Sequence, residues 1–290
     1  MVNVEFDAKA LLGEGPCWDE RTETLYWVDI ERKQLHAYSP LDKADKVYTF
    51  TEEVGAAVVR EAGGLVLALK SGFHFFDPLS GKLEHITDPE AGVEDNRFND
   101  GKCDPRGRFW AGTMHHPETE SERGSLYSLE IDHSTRCHVT GVSVSNGLAW
   151  NSDATIMYYI DSPERECWAF DFDLETGVMS NKRVAVRIPE GYGYPDGMTI
   201  DAEGMLWIAL WDGWRVCRFN PHDGSLLQEI KMPVARPTSC VFGGPELTTL
   251  YVTSASTRQT PEVLAGQPNA GAIFTIEAGV KGTPSFRFRG

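Results

Sequence analysis

Oxygen-bearing side chains stand directly before a glycine in four widely separated parts of this chain. They are Glu14 before Gly15, the pair Asn99-Asp100 before Gly101, Asn146 before Gly147 and Asp196 before Gly197. Carboxylate and amide oxygens are hard ligands, which suit Ca²⁺, Mn²⁺ or Mg²⁺ better than a metal that seeks thiolates. Carboxylates aimed at one point would repel one another unless a cation lay between them. The pattern predicts a divalent-cation site if the fold brings these residues together.

The alternative is that each pair is a hairpin turn. Asn-Gly and Asp-Gly are favoured in such turns, and for any single pair this is the commoner explanation. Glu14-Gly15 is not a turn dipeptide, however, and the pairs stand before predicted strands instead of joining two of them. As a set they favour a site.

Other residue types give weaker signals. His115-His116 is the only close histidine pair, and no spacing typical of a zinc site occurs. Such a pair is usually solvated surface, but it follows the strand-like run 110–114. We therefore keep His115 as a candidate substrate contact. The sequence Gly-x-Ser-x-Gly is absent, which argues against a serine hydrolase.

The elements that must position these residues repeat along the chain. Each unit has a polar residue and a glycine, a short strand, a turn and then a strand with a large apolar or aromatic residue. These marker residues lie 40 to 49 positions apart, at Trp27, Leu67, Trp110, Tyr158, Trp207 and Tyr251. Six such units predict an all-β fold, a six-bladed β-propeller with four antiparallel strands per blade, as one domain over residues 1–290. Equivalent positions of the blades would meet at the central axis.

Three further details follow from the pattern. Residues 2–6 alternate as an extra strand, which should close the ring beside 272–277 or 285–289. A single helical turn is possible at 261–264. The longest loops are expected at 88–96 and 115–123, and long loops are often functional.

The composition of the chain argues against some classes of partner. The formal net charge is −16 over 290 residues, which disfavours nucleic acid or an anionic membrane and is otherwise explained by solubility. No run reaches the ~18 apolar residues of a membrane span. The chain shows no signal-peptide pattern, and its six cysteines are widely spaced. These features predict a cytoplasmic protein.

Around the same residues the chain resembles the SMP-30/gluconolactonase family of regucalcin-like lactonases. The stretches that carry the resemblance are 12–16, 96–102, 111–114, 145–148, 194–198, 201–204, 242–244 and 270–274. The resemblance implies a six-bladed propeller with one catalytic divalent metal ion, which hydrolyses lactones of sugar acids. Among Ca, Mn, Zn, Mg and Fe, the identity of the metal stays open.

The resemblance also implies roles for single residues. Glu14, Asn146 and Asp196 correspond to metal ligands, and Asp196 also to the general base. Arg97 and Asn99 correspond to substrate-contacting positions. Some animal members carry a substrate-contacting Glu three residues after the Met of Gly-Thr-Met. Here Pro117 stands there and Glu118 follows, so Glu118 is a candidate contact, and the sugar acid that is recognised stays open.

The predicted reaction is hydrolysis of an aldonolactone, such as a glucono-, xylono-, galactono- or arabinono-lactone, to the open acid. The metal would polarise the carbonyl, and Asp196 or the metal would activate water. One alternative is a metal-dependent esterase or phosphotriesterase-like hydrolase. Another is a non-catalytic, calcium-binding propeller. We expect a monomer or a weak homo-oligomer whose partner is a small sugar lactone.

Overall fold

Nearly all regular structure in the computed structural model, which describes residues 1–290, consists of antiparallel strands in six four-stranded sheets. The chain begins with β1 (Val2–Phe6). Blade 1 contains β2 (Gly13–Asp19), β3 (Thr24–Asp29), β4 (Gln34–Ser39) and β5 (Ala44–Thr49). Blade 2 contains β6 (Val54–Val59), β7 (Leu65–Leu69), β8 (Gly72–Phe76) and β9 (Leu83–Thr87). Blade 3 contains β10 (Asn96–Cys103), β11 (Phe109–His115), β12 (Gly124–Leu129) and β13 (Thr135–Val142).

The second half of the chain repeats this arrangement. Blade 4 contains β14 (Ser145–Trp150), β15 (Ile156–Asp161), β16 (Glu166–Phe172) and β17 (Met179–Arg187), with a 3₁₀ turn at Ser162–Glu164. Blade 5 contains β18 (Tyr194–Ile200), β19 (Leu206–Trp211), β20 (Arg215–Phe219) and β21 (Leu226–Lys231). Blade 6 contains β22 (Pro237–Gly243), β23 (Thr249–Ser254) and β24 (Ile273–Glu277), with the short helix α1 (Pro261–Ala265) before β24.

The six blades form a closed ring. The first strand of each of the six blades is its innermost strand, and these strands contact one another from blade to blade, including blade 6 with blade 1. β1 supplies the fourth strand of blade 6, pairing Val2 with Ile276 and Val4 with Phe274. The six-bladed propeller is confirmed, as is the closure of residues 2–6 on 272–277. The helical turn at 261–264 is confirmed by α1.

The expectation about loop lengths is wrong in one respect. The connection from Ala255 to Ala272, between β23 and β24, is longer than those at 88–95 and 116–123. It is stabilised by side chains that hydrogen bond across it. Gln267 accepts a hydrogen bond from the Ala235 amide at 2.6 Å and donates one to Gln259 at 2.8 Å. Such contacts leave no periodic pattern in the sequence.

The C-terminal segment 278–290 closes the end of the central channel at which the innermost strands finish. Gly282 bridges to Asp201 just after β18, and Phe288 bridges to Arg60 just after β6. Phe288 is fully buried and packs with a core cluster that includes Phe98 and Phe109. The other end of the channel, where the innermost strands begin, stays accessible. The structure contains no helix long and apolar enough to cross a membrane.

Candidate functional site

A cavity of about 240 Å³ opens at the end of the channel where the innermost strands begin. Its wall contains six of the seven site residues predicted from the sequence. These are Glu14, Arg97, Asn99, Glu118, Asn146 and Asp196. They come from four blades and lie up to 182 positions apart in the chain, so only closure of the ring brings them together.

A β-bulge explains how the polar side chains reach the axis. In all six blades the register between the innermost strand and the next one shifts at the same place, for example between Glu14 and Cys17, between Asn146 and Leu148, and between Pro195 and Met198. A bulge adds one unpaired residue to a strand and re-aims the side chains around it. The pairs of a polar residue with glycine therefore lie at bulges of the innermost strands and are not hairpin turns.

The glycines allow neighbouring innermost strands to approach closely. A Cβ atom added to Gly147 would lie 2.9 Å from the Asp196 carbonyl oxygen, and one added to Gly197 would lie 2.0 Å from Ser239 Oγ. Both distances are too short for a side chain, so glycine is required where the polar residues converge.

A chain of hydrogen bonds crosses the cavity wall. Arg97 donates to Asn99 Oδ1 at 2.7 Å, and Asn99 Nδ2 donates to Asn146 Oδ1 at 3.0 Å. Asn146 Nδ2 donates to Ser162 Oγ at 2.7 Å, and Ser162 Oγ donates to the Pro195 carbonyl at 2.6 Å. Each amide thus has its oxygen and nitrogen ends assigned by a partner. The chain links the residue before Asp196 to Arg97 through three blades.

Two carboxylates, Glu14 and Asp196, lie buried beside one another in the cavity wall. Burial raises the pKa of Glu14 to about 8, with the charge of Asp100 as the next cause. Burial also raises the pKa of Asp196 well above its usual range, and the charge of Glu14 adds to this. Neither carboxylate forms an ion pair, and the Gly15 amide at 3.0 Å is the hydrogen-bond donor to Glu14. The charge of Arg97 lowers the pKa of Glu14, but burial and Asp100 raise it by more, so no contacting positive partner compensates the burial of the two carboxylates.

The residues present fit a divalent cation. No three His, Cys, Asp or Glu side chains form a metal-binding group, but the candidate set consists of two carboxylates and one amide. Asn146 presents an oxygen whose identity is assigned by Asn99, and the two carboxylates need a positive charge. Hard oxygen ligands of this kind suit Ca²⁺, Mg²⁺ or Mn²⁺. Glu14, Asn146 and Asp196 are thus the residues that could hold a metal ion.

Arg97 is a buried cation in the same wall. It donates to the Phe98 carbonyl at 3.0 Å as well as to Asn99, while its buried Nε has no partner. Burial lowers the pKa of Arg97, and the nearby Glu118 carboxylate opposes this effect. A guanidinium group cannot bind a metal ion, but it can donate to the oxygens of a bound molecule.

His115 does not line the cavity, and its contact with substrate stays a prediction. It is the last residue of β11, and side chains on a strand alternate between its two faces. Met114 contributes to the cavity wall, so its neighbour His115 points to the other side. There His115 Nδ1 accepts a hydrogen bond from the Glu120 amide at 3.3 Å.

The structure adds residues that the sequence analysis did not single out. The remaining wall of the cavity is formed by Leu12, Met114, Val144, Ser162, Pro163, Tyr194, Trp211 and Arg258. Tyr194 and Met114 lie within stretches that carry the family resemblance, so the sequence could have indicated them as candidate site residues. Arg258 lies in the long connection before β24, where no repeat or motif marks it. It binds both carboxylate oxygens of Glu118, each at 2.6 Å.

Comparisons with known proteins give matches to one family. A sequence profile described as the SMP-30/gluconolactonase/LRE-like region matches residues 12–256. A protein of Bacillus subtilis (strain 168), named as a candidate sugar lactone lactonase, YvrE, is 39% identical over 287 residues, covering 99% of this chain and 98% of that one. Regucalcin of Danio rerio is 41% identical over 281 residues, covering 96% and 95%.

A solved structure agrees with these matches. The structure of a calcium-binding protein, regucalcin, from Agrobacterium tumefaciens strain C58 has a TM-score of 0.94 and 27% identity. The match covers 99% of this chain and 96% of that one. Together, these findings confirm the resemblance drawn from the sequence motifs.

Proposed function

The chain belongs to the SMP-30/gluconolactonase/LRE-like family, and we propose that it hydrolyses lactones of sugar acids with the help of one divalent metal ion. The observation that carries the proposal is the pair of buried carboxylates, Glu14 and Asp196, beside a hydrogen-bonded amide and a buried arginine in one cavity. A binding site of this type offers ligands for a cation and donors for a polyol in the same small volume.

The substrate class follows from the wall of the cavity. Arg97 and Asn99 supply polar groups that can bind the hydroxyls of a sugar ring. Tyr194 and Trp211 supply flat apolar surfaces on which the C–H faces of such a ring can pack. A cavity of about 240 Å³ is suited to a small, single-ring molecule. An aldonolactone combines these properties.

In the proposed reaction, water adds to the lactone carbonyl and the bond from the carbonyl carbon to the ring oxygen breaks. A divalent ion held by Glu14, Asn146 and Asp196 would act as the Lewis acid that polarises this carbonyl. Asp196 takes the proton of the attacking water and returns it to the ring oxygen as that oxygen leaves. The product is an open-chain hydroxy acid. Arg97 and Asn99 hold the sugar so that its carbonyl faces Asp196.

A calcium-binding propeller without catalysis is the second candidate, because one structural relative is described as a calcium-binding protein. Such a protein would need the carboxylates but no substrate-binding arginine. Arg97, buried in the wall beside these carboxylates, favours the enzyme.

The test measures the hydrolysis of several lactones in the presence of several metal ions. The protein is stripped with a chelator, and acid release from glucono-, galactono-, xylono- and arabinono-lactone is followed after addition of Ca²⁺, Mn²⁺, Mg²⁺, Zn²⁺ or Fe²⁺. We expect hydrolysis that depends on the metal and disappears in Asp196→Asn. Tight metal binding without turnover of any lactone would favour the calcium-binding protein. Turnover that survives chelation would contradict the role of the metal.

A further inference from the structure

One ion pair spans the mouth of the cavity. Glu118 belongs to the connection 116–123 that follows β11 of blade 3, and Arg258 belongs to the connection 255–272 that follows β23 of blade 6. In a ring of six blades, blades 3 and 6 face each other across the channel. All other ion pairs of the structure lie within one blade, between adjacent blades or at the C-terminal segment.

The geometry of the pair is that of two parallel hydrogen bonds. Arg258 donates from both terminal nitrogens to the two oxygens of Glu118, each at 2.6 Å. This arrangement fixes the relative orientation of both groups as well as their distance. Both side chains also line the cavity. The ion pair is therefore part of the site and forms its rim.

Arg97 lies behind this pair, deeper in the cavity wall. It is attracted by Glu118 and repelled by Arg258, so the three charges alternate from the wall to the rim. Removal of Arg258 would leave Glu118 without its hydrogen-bonded partner, and the connection 116–123 would lose this link to blade 6. The mouth would then be wider on the side of blade 6.

We propose that the Glu118–Arg258 pair is a latch that restricts the site to lactones of a single sugar unit. The inference rests on the proposed lactonase function. A monosaccharide lactone fits beneath the pair in the cavity of about 240 Å³. The second ring of a disaccharide lactone has to pass through the mouth, where the latch lies. Glu118 and Arg258 are thus specificity-determining residues at the rim, and the carboxylates and amides beneath them are left to carry out the chemistry.

The latch can be removed without unfolding the protein. The two side chains are 31% and 45% exposed, so water screens the pair, although its bidentate geometry places it among the stronger surface ion pairs. A link screened by water also allows the latch to open for substrate entry. The position of the pair across the mouth of the cavity therefore explains its presence better than a contribution to stability does.

The experiment compares one-ring and two-ring substrates. The values of kcat/KM for gluconolactone and for lactobionolactone are measured for the wild type, Arg258→Ala, Glu118→Ala and the charge-swapped double variant Glu118→Arg/Arg258→Glu. We expect each single variant to raise the ratio of disaccharide to monosaccharide kcat/KM about tenfold, equivalent to ~1.4 kcal/mol. The swapped variant should restore the wild-type ratio only in part, because it re-forms the pair with reversed charges but brings a guanidinium at position 118 towards Arg97. A merely structural role would not produce a gain on the larger substrate.

Arg123→Ala is the matched control. Arg123 pairs with Glu120 within the same connection 116–123 and does not reach across the mouth. This variant should leave the substrate ratio unchanged. Amide hydrogen exchange of residues 116–123 is the second measurement, and it should be faster in Arg258→Ala than in the wild type.

The outcomes separate the two proposals. Normal hydrolysis of gluconolactone with an unchanged substrate ratio in both single variants overturns the size selection and leaves the lactonase function intact. Absence of lactone hydrolysis in the wild type overturns the proposed function together with the size selection. Equal hydrogen exchange in Arg258→Ala and the wild type overturns the latch itself, whatever the activity.

Discussion

Replacing Asn99 with alanine should weaken metal binding, although Asn99 is not a proposed ligand. Its Nδ2 donates to Asn146 Oδ1 at 3.0 Å and to the Ser145 carbonyl at 2.8 Å, and its Oδ1 accepts from Arg97 at 2.7 Å. These bonds fix which end of Asn146 presents its oxygen. Removing a residue that orients a metal ligand typically lowers metal affinity by about 10–100-fold, and we expect Asn99→Ala to fall in that range.

Arg97→Ala is the control for the loss of metal affinity expected in Asn99→Ala. It removes a hydrogen bond to Asn99 but leaves the contact between Asn99 and Asn146 intact. Metal affinity should therefore change much less than in Asn99→Ala. The value of kcat/KM should fall about 10–100-fold, because ~1.5–3 kcal/mol of charged hydrogen bonding to the substrate is lost.

Both variants are measured by calorimetric titration of chelator-stripped protein with Mn²⁺ or Ca²⁺, beside lactone kinetics. Thermal unfolding serves as the folding control, since an unpaired buried partner of Asn99 costs about 1–3 kcal/mol. Wild-type metal affinity in Asn99→Ala would show that Asn146 is not oriented in this way. Loss of the metal from Arg97→Ala, as complete as from Asp196→Ala, would make Arg97 a structural support of the site, and the division between recognition and chemistry would be wrong.

Four further predictions follow from the same contacts. Asp196→Ala should lose both tight metal binding and lactone hydrolysis in one preparation, and near-normal turnover would remove Asp196 from the mechanism. Metal-free Glu14→Gln should melt at a higher temperature than the metal-free wild type, because the substitution removes a buried carboxyl group whose charged form is disfavoured by burial and by the charges of Asp100 and Asp196; an unchanged or lower melting temperature would show that burying this carboxyl group costs no stability. Phe288→Ala should lower the free energy of unfolding by about 3–5 kcal/mol in guanidinium titrations without changing kcat, as a fully buried Phe is removed at the opposite end of the channel from the cavity. His115→Ala should leave KM for gluconolactone unchanged, and a large increase would show that His115 reaches the substrate.

The central part of the site could be predicted because it repeats. A propeller places the same position of every blade at the axis, so a polar residue before glycine in blades 1, 3, 4 and 5 was enough to predict that Glu14, Asn146 and Asp196 meet. The sequence did not show why those pairs differ from hairpin turns. The register shifts supply the reason, since each pair lies at a bulge in the innermost strand.

The rim could not be predicted in the same way. Arg258 and Glu118 lie in connections that differ in length between blades, and their contact joins residues 140 positions apart. Neither periodicity nor composition carries information about such a contact. His115 is a different case, because the cavity-lining position of its neighbour Met114 became known only from the structure. Strand alternation then indicates that His115 points to the other side.

The floor of the cavity, formed by Glu14, Asn146 and Asp196 at the bulges, and its rim, formed by the connections 116–123 and 255–272, are therefore under different physical constraints. The floor is fixed by bulges and by glycines that accept no side chain, so any change there disturbs the contact between neighbouring blades. The rim consists of connections held by a partly exposed pair that water screens, which can change without loss of the fold. A floor with two carboxylates and an amide suits both a calcium-binding protein and a lactonase, and relatives are known by both descriptions. Differences in substrate among proteins with this floor should consequently arise from the connections 116–123 and 255–272, which is why the latch residues are the informative positions to vary.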